Sequence, residues 1–103
     1  MANKYSFKFT DLAINDIETA LNYISVNLMN RKSASELLSY IEKTIENICI
    51  FPYSYPDCSY YFIRDNTIRH TNIKNYILVY RINEETSSIE LLRFKYSKQK
   101  EIL

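Results

Sequence analysis

The chain of 103 residues contains no glycine. Loops that hold nucleotide phosphates depend on glycine, because a side chain there would keep the backbone away from the phosphates. The sequence therefore excludes a P-loop and a dinucleotide-binding fingerprint, and we expect no cofactor. A chain of this length supports one domain with a single core and is too short for a second lobe. We therefore interpret residues 1–103 as one domain.

The composition also argues against a zinc site, a disulfide and a membrane-spanning segment. One histidine and two cysteines, without a Cys-x-x-Cys pair, supply too few ligands for a zinc site. Cys49 ends an apolar helical pattern and Cys58 lies in a loop, so we expect free thiols and no disulfide. No apolar run approaches the roughly 18 residues of a membrane span, and the first residues lack a signal-like run. We expect a cytoplasmic protein with no membrane partner.

The spacing of apolar residues predicts one strand followed by two helices. Residues 5–9 alternate aromatic and polar side chains, which is typical of a short strand at a sheet edge. From Thr10 the apolar residues recur at three and four, which predicts a helix capped by Thr10 or Asp11, with Asp16 facing away from the apolar stripe. The Ser-x-x-Glu spacing at 33–36 predicts the start of a second helix, which "FPYSYP" ends. Such a short link predicts an antiparallel helical hairpin.

In the second half of the chain, short apolar and aromatic segments separated by turn residues predict β-strands. The predicted strands are Tyr60–Ile63, Thr67–Ile73, Tyr76–Ile82 and Ser88–Lys95. Short strands in succession favour an antiparallel meander. The predicted fold is α+β, with an N-terminal strand and an antiparallel helical hairpin that packs on one face of the β-meander.

A two-residue turn at Lys74-Asn75 would fix the register of the central hairpin. Asparagine suits this turn because it tolerates a positive φ better than other non-glycine residues. In that register Arg69 lies at the rim of the face that meets the helices. The opposite face presents His70, Asn72 and Arg81.

Basic residues concentrate in the sheet half of the chain. Residues 1–63 carry five Lys and Arg against seven Asp and Glu, whereas residues 64–103 carry eight against five. The last strand and the segment after it add Arg93, Lys95 and Lys98. Cations beside aromatic rings can hold a phosphate backbone while a ring stacks on a base, as in single-stranded RNA binding. The alternative is an ordinary solvated sheet face, and a net charge of +1 allows only a local patch.

Several segments together resemble one family. The order of elements, with "FPYSYP", "IRHTNIKNYILVYRI" and "IELLRF", is similar to the RelE/ParE superfamily of bacterial toxin–antitoxin toxins, over roughly Tyr5 to Gln99. The resemblance implies a cognate antitoxin whose extended segment wraps and neutralises the toxin. It implies one of two targets: RelE-like members cut messenger RNA on the ribosome, and ParE-like members poison DNA gyrase.

Cleavage of RNA without a metal needs a base, an acid and cations around the phosphate. RelE-like members usually place an arginine after the hairpin tyrosine, and here that position is Ile77. Arg81 shares its face four residues later, and we hypothesise that it partly substitutes, so that Arg81→Ala would abolish toxicity. "RFKY" resembles the C-terminal pattern of ribosome-dependent members, with lysine where they carry histidine. The catalytic residues implied by the resemblance are His70, Arg81, Arg93, Lys95 and Tyr96.

The remaining candidates are contact residues. Further cations expected to touch the target are Arg69, Lys74 and Lys98, and aromatic residues expected to anchor the antitoxin are Tyr55, Tyr60, Tyr61 and Phe62. Local cations with tyrosines slightly favour a ribosome-dependent endoribonuclease, with ribosome and messenger RNA as partners. The alternatives are a non-enzymatic gyrase inhibitor, which the "NYILVYRI" pattern favours, and a degenerate toxin that persists as an antitoxin-bound repressor subunit.

Overall fold

A computed structural model describes residues 4–58 and 63–98 of the chain. The described strands are β1 (Ser6–Phe9), β2 (Ile68–Ile73), β3 (Tyr76–Asn83) and β4 (Ser88–Tyr96). They form a four-stranded sheet in the order β1-β4-β3-β2, in which β1 lies at an edge, parallel to β4, and the other pairs are antiparallel. The predicted α+β fold is confirmed. The predicted strand at 60–63 lies largely outside the described residues, and Ile63 is not in a strand.

The two predicted helices are present as a hairpin. They are α1 (Asp11–Asn22), extended by a π-helical turn at Tyr23–Asn27, and α2 (Arg31–Ile50), followed by a short 3₁₀ turn at Pro52–Ser54. Thr10 caps α1 as predicted, because its Oγ1 accepts a hydrogen bond from the Ala13 backbone N–H at 3.1 Å.

The start of α2 differs from the prediction. The helix begins at Arg31, two residues before the expected start, and Asn30 is the N-cap. The Asn30 side-chain oxygen accepts a hydrogen bond from the Ser33 backbone N–H at 3.0 Å. The predicted pairing at 33–36 is therefore wrong, because Ser33 already lies inside the helix and asparagine caps as well as serine.

The main core lies between the helical hairpin and one face of the sheet. Its fully buried members include Ile41 and Ile48 of α2, Leu78 and Tyr80 of β3, and Leu91 of β4. The Tyr80 hydroxyl donates a hydrogen bond to the Pro52 carbonyl at 2.6 Å, so the segment after α2 is tied to the centre of the sheet. Within the described residues, no helix has the length and apolarity that crossing a membrane would need.

The opposite face of the sheet carries a second, smaller cluster. It is formed by Cys58, Ile68, Ile77 and Val79, with Ile63 and Leu92 packed against it. The centre of this face is therefore covered by apolar side chains, which neither the predicted cation patch nor the alternative of a solvated face foresaw. Both cysteines are free thiols, and Cys58, which was expected to be a loop thiol, is buried like Cys49.

The register of the β2–β3 hairpin follows the prediction at every pair from Ile68–Arg81 to Ile73–Tyr76. The positive φ lies at Lys74 (56°) and not at Asn75, which corrects the expectation for the turn. Between β3 and β4 the register shifts beyond Val79, so that Arg93 lies opposite Val79 and Leu91 opposite Tyr80. The extra residue in β4 is a bulge, a feature that redirects side chains.

Candidate functional site

The structure does not bring the five predicted catalytic residues together. His70 and Arg81 lie on the sheet face away from the helices. Arg93 turns toward α1, whereas Lys95 and Tyr96 line a groove beside the helical hairpin.

His70 packs against the smaller cluster. Its Nδ1 lies 3.6 Å from the Cys58 Sγ, and the imidazole is half-buried. Burial lowers the pKa of His70 below its ordinary value of 6.5, although the backbone and the charge of Asp57 oppose the shift. The ring is therefore a neutral packing residue at pH 7 and not an exposed cation.

Protonation of His70 should weaken the fold. Because the pKa of His70 is lower in the folded chain than in the unfolded chain, the unfolded chain binds more protons below about pH 6.5, and stability falls as the pH decreases through that range. We expect His70→Asn to flatten this part of the stability profile, measured by urea unfolding between pH 7.5 and pH 5. An unchanged slope in the variant would contradict this role.

Arg81 belongs to a row of alternating charges across the sheet. It lies opposite Glu90 of β4, and Glu90 in turn lies beside Lys8 of β1, with 4.0 Å between Lys8 Nζ and Glu90 Oε2. On the same face Ile77 and Val79 are only 2% and 0% exposed. The centre of this face is thus apolar and closed, and Arg81 stands at its border.

Arg93 is held by α1. Its Nε and one terminal nitrogen donate hydrogen bonds to the Asp16 carboxylate at 2.7 and 3.1 Å, and the Phe94 backbone N–H donates a third at 3.0 Å. Burial raises the pKa of Asp16, but these hydrogen bonds outweigh it and the net pKa is lowered. The prediction that Asp16 faces away is wrong, because its carboxylate contacts the Arg93 guanidinium and the Phe94 backbone N–H of β4.

Two cations predicted to contact the target, Arg69 and Lys74, interact with other residues of the fold. The Arg69 guanidinium donates to the carbonyls of Tyr55 and Tyr53 at 2.8 and 3.4 Å and lies over the Tyr53 ring. The Lys74 ammonium lies 4.4 Å from the centre of the Tyr40 ring on α2. Both cations therefore have partners within the fold.

Lys95 and Tyr96 line a groove of about 800 Å³ between the helical hairpin and the end of β4, which we call the β4 groove. Asp16 and Tyr23 contribute from the hairpin, and Tyr76 contributes from β3. Lys98, the third cation predicted to contact the target after Arg69 and Lys74, is exposed just beyond the end of β4.

Aromatic rings dominate one wall of the β4 groove. Tyr76 stacks on Phe94, with 4.7 Å between ring centres, and meets Tyr96 edge-on at 5.8 Å. Burial, with smaller contributions from Tyr96 and Tyr23, raises the pKa of Tyr76, so its phenol remains protonated near neutral pH. The only histidine of the chain lies on the other sheet face. The Asp16 carboxylate in the groove already accepts hydrogen bonds from Arg93 and the Phe94 N–H. The remaining groups are hydrogen-bond donors, rings and one ammonium, a set that suits binding better than proton abstraction.

Sequence reasoning missed Asp16, Tyr23 and Tyr76 as members of this site. A helical-periodicity argument places Asp16 off the apolar stripe, and only the contact with Arg93, 77 residues later, shows its role. Among the predicted antitoxin anchors, Tyr55 is partly buried and meets the Tyr80 ring edge-on at 6.4 Å. The other three, Tyr60, Tyr61 and Phe62, lie outside the described residues.

Comparisons with known proteins agree on one group. A sequence model described as "ParE toxin of type II toxin-antitoxin system, parDE" matches residues 7–101. A search of curated proteins finds no match. Among solved structures, a chain of the chromosomal ParDE toxin–antitoxin system from P. aeruginosa superposes with a TM-score of 0.72 at 14% identity, covering 94% of this chain and 100% of that one. A chain of the RelBE2 toxin–antitoxin complex from Mycobacterium tuberculosis gives a TM-score of 0.60 at 16% identity, covering 90% and 91%. At these identities the likeness shows a shared fold.

Proposed function

Because this chain belongs to the ParE toxin family of type II toxin–antitoxin systems, we propose that it inhibits growth by binding DNA gyrase, without catalysing a reaction itself. It is a toxin of the RelE/ParE superfamily. Gyrase is the target that a resemblance to ParE-like members implies, and the choice between this target and messenger RNA depends on the site.

The separation of the predicted catalytic residues carries the proposal. Arg93 is bound to Asp16, and His70 is packed against Cys58 with a lowered pKa. The sheet face where the RelE-like arginine would stand is closed by Ile77 and its apolar neighbours. Metal-independent cleavage needs an acid, a base and cations at one phosphate. A binding surface has no such requirement.

Ribosome-dependent cleavage remains the second candidate because Lys95 and Tyr96 share the β4 groove. Together they could place an ammonium and a phenol beside one phosphate. Under the gyrase proposal the same two residues, with the exposed Lys98, form one edge of the surface that contacts the target.

A cognate antitoxin is the second partner that we propose, since both similar solved structures are toxin–antitoxin systems. A second groove, of about 410 Å³, lies between β1 and α2 and offers it an apolar surface. Phe7, Phe9 and Leu38 line this groove and are exposed. Tyr55, Tyr60, Tyr61 and Phe62 stay candidate anchors for the same partner.

The purified protein is expected to inhibit supercoiling of relaxed plasmid by gyrase and to leave messenger RNA intact on ribosomes with a defined codon in the decoding site. Gel electrophoresis measures the first reaction, and primer extension measures the second. Because Arg81 lies opposite Glu90 on the far sheet face, Arg81→Ala should inhibit gyrase as the wild type does.

Two results would reject the proposal. Cleavage within the decoding-site codon, lost in Arg81→Ala or Tyr96→Phe while supercoiling is unaffected, would establish a ribonuclease. Normal growth during expression without the antitoxin would indicate a degenerate toxin that acts only as a repressor subunit.

A further inference from the structure

The turn between the two helices exposes an unusual number of apolar side chains. We call residues Tyr23–Asn30 the hairpin tip. Within it Val26 is 61% exposed and Met29 is 87% exposed. Tyr23 is half exposed, and Leu28 is slightly more than half exposed. Isolated exposed apolar residues are common, but a contiguous group marks an interaction surface.

The hairpin tip has a fixed shape. Backbone hydrogen bonds run from the Leu28 N–H to the Tyr23 carbonyl at 3.1 Å, from Met29 to Val26 at 3.3 Å, and from Asn30 to Ile24 at 3.1 Å. The exposed apolar groups are therefore held in place before any partner binds. A preorganised surface loses less conformational entropy on binding.

Two backbone features at the tip are uncommon. The chain forms a π-helical turn at Tyr23–Asn27, a geometry found often at functional positions. Met29 then adopts a φ of 50°, which is unfavourable for a residue with a β-carbon. Their effect is to direct Val26, Leu28 and Met29 outward from the end of the hairpin, where they are exposed.

The charges around the tip indicate the chemistry of the partner. Residues 19–30 contain no charged side chain, and Arg31 and Lys32 follow at once. Both are exposed, and neither forms an ion pair within 4 Å in the part of the chain that the structure describes. An apolar tip beside two free cations complements an apolar pocket with carboxylates at its rim.

We propose that the hairpin tip inserts into an apolar pocket of the toxin's protein target, with Arg31 and Lys32 facing carboxylates at the rim. The inference rests on the proposed function in one respect, since it takes gyrase to be the protein that carries the pocket. The β4 groove opens beside the tip and shares Tyr23 and Leu28 with it, so the two form one continuous surface.

The test uses charged substitutions at matched exposure. Val26→Asp places a carboxylate in the tip, and Phe51→Asp does the same at the other end of α2, where Phe51 is 63% exposed. Circular dichroism melts establish that both variants are folded. We expect Val26→Asp to raise the concentration for half-inhibition of supercoiling by about tenfold or more and to relieve growth inhibition, because loss of a central apolar contact costs at least that factor. Phe51→Asp should behave as the wild type.

A second pair of variants tests the charges without touching apolar packing. Lys32→Glu lies at the tip, and Lys43→Glu is exposed in the middle of α2. We expect Lys32→Glu to weaken gyrase inhibition several-fold, with a smaller effect at high salt, and Lys43→Glu to leave it unchanged. These exposed positions keep the test valid if Val26→Asp does not fold.

Each contrary result overturns the inference. Full growth inhibition by Val26→Asp or Lys32→Glu would remove the tip from target binding. Tip-dependent binding to vesicles of anionic lipid, or a dimer in sedimentation that Val26→Asp dissociates, would assign the tip to a membrane or to a second copy. If the wild type inhibits growth but not gyrase, the proposed function fails. In that case, loss of growth inhibition in Val26→Asp but not in Phe51→Asp still supports the tip as a contact with another target.

Discussion

Ile77→Arg is expected to lower the free energy of unfolding by about 3 kcal/mol, because it places a guanidinium in an apolar cluster with no partner for its charge. Ile77 is 2% exposed and packs with Cys58, Ile68 and Val79. The substitution restores the arginine of RelE-like members at this position. We expect it to destabilise the fold and to produce no cleavage of messenger RNA. Urea unfolding measures the first effect, and primer extension on programmed ribosomes measures the second.

The matched control for this substitution is Asn72→Arg. Asn72 lies directly opposite Ile77 on the neighbouring strand and is exposed, so the same charge enters the same face where water reaches it. We expect a change within about 0.5 kcal/mol. A second control, Ile77→Val, should cost about 1 kcal/mol. If Ile77→Arg were as stable as Asn72→Arg, this sheet face would be open, and the case for a catalytic surface there would be restored.

Asp16→Ala is expected to lower the free energy of unfolding by about 2 kcal/mol, because it leaves a largely buried guanidinium and one backbone N–H without their acceptor. The side chains of Asp16 and Arg93 are only 12% and 16% exposed. The Phe94 N–H loses its bond at the same time. Urea unfolding of the variant at pH 7 measures the loss.

A double-mutant cycle separates the pair from its surroundings. Arg93→Ala and the double variant Asp16→Ala/Arg93→Ala complete the cycle, and we expect the double variant to be less destabilised than the sum of the single changes. The pKa of Asp16 is lowered in the folded chain, so its contribution is present above the ordinary value of 3.8 and is lost as the pH falls below it. Asp16→Asn should therefore reduce the acid sensitivity of the fold. Additive single effects would show that the two residues act independently.

These two experiments also bear on function. If both expectations are met, Ile77 and Arg93 are parts of the folded framework, and the cations that we assign to the target surface are Lys95, Lys98, Arg31 and Lys32. Most of these side chains lie at one end of the molecule, around the end of β4 and the start of α2. That arrangement supports a surface that docks on a protein.

Sequence reasoning was most accurate where a structure depends on neighbouring residues. The cap at Thr10 needs only the Ala13 N–H three residues away, and the β2–β3 register needs only a two-residue turn and alternating side chains. It was less accurate where two local solutions compete. Asn30 and Ser33 are both good caps, and the structure uses Asn30, which follows the positive φ at Met29.

The roles of the candidate site residues could not be predicted in the same way. A cation on a strand has the same local pattern whether it faces a substrate, an aspartate or a ring. Lys74 lies over Tyr40, Arg69 bonds to the carbonyl of Tyr55, and His70 packs on Cys58, each through a partner more than ten residues away.

The sequence by itself therefore determined the α+β fold, the helical hairpin and the hairpin register, because periodicity, capping and turn length act over a few residues. The toxin superfamily was indicated separately, by the resemblance of several segments to known toxins. Only the tertiary structure decided which cations are free. Arg93 is bound to Asp16 of α1, and the cluster that contains Cys58, Ile77 and Val79 closes the centre of the far sheet face. Such contacts depend on the three-dimensional distance between residues that are far apart in the chain, and that distance is set by the packing of the whole domain.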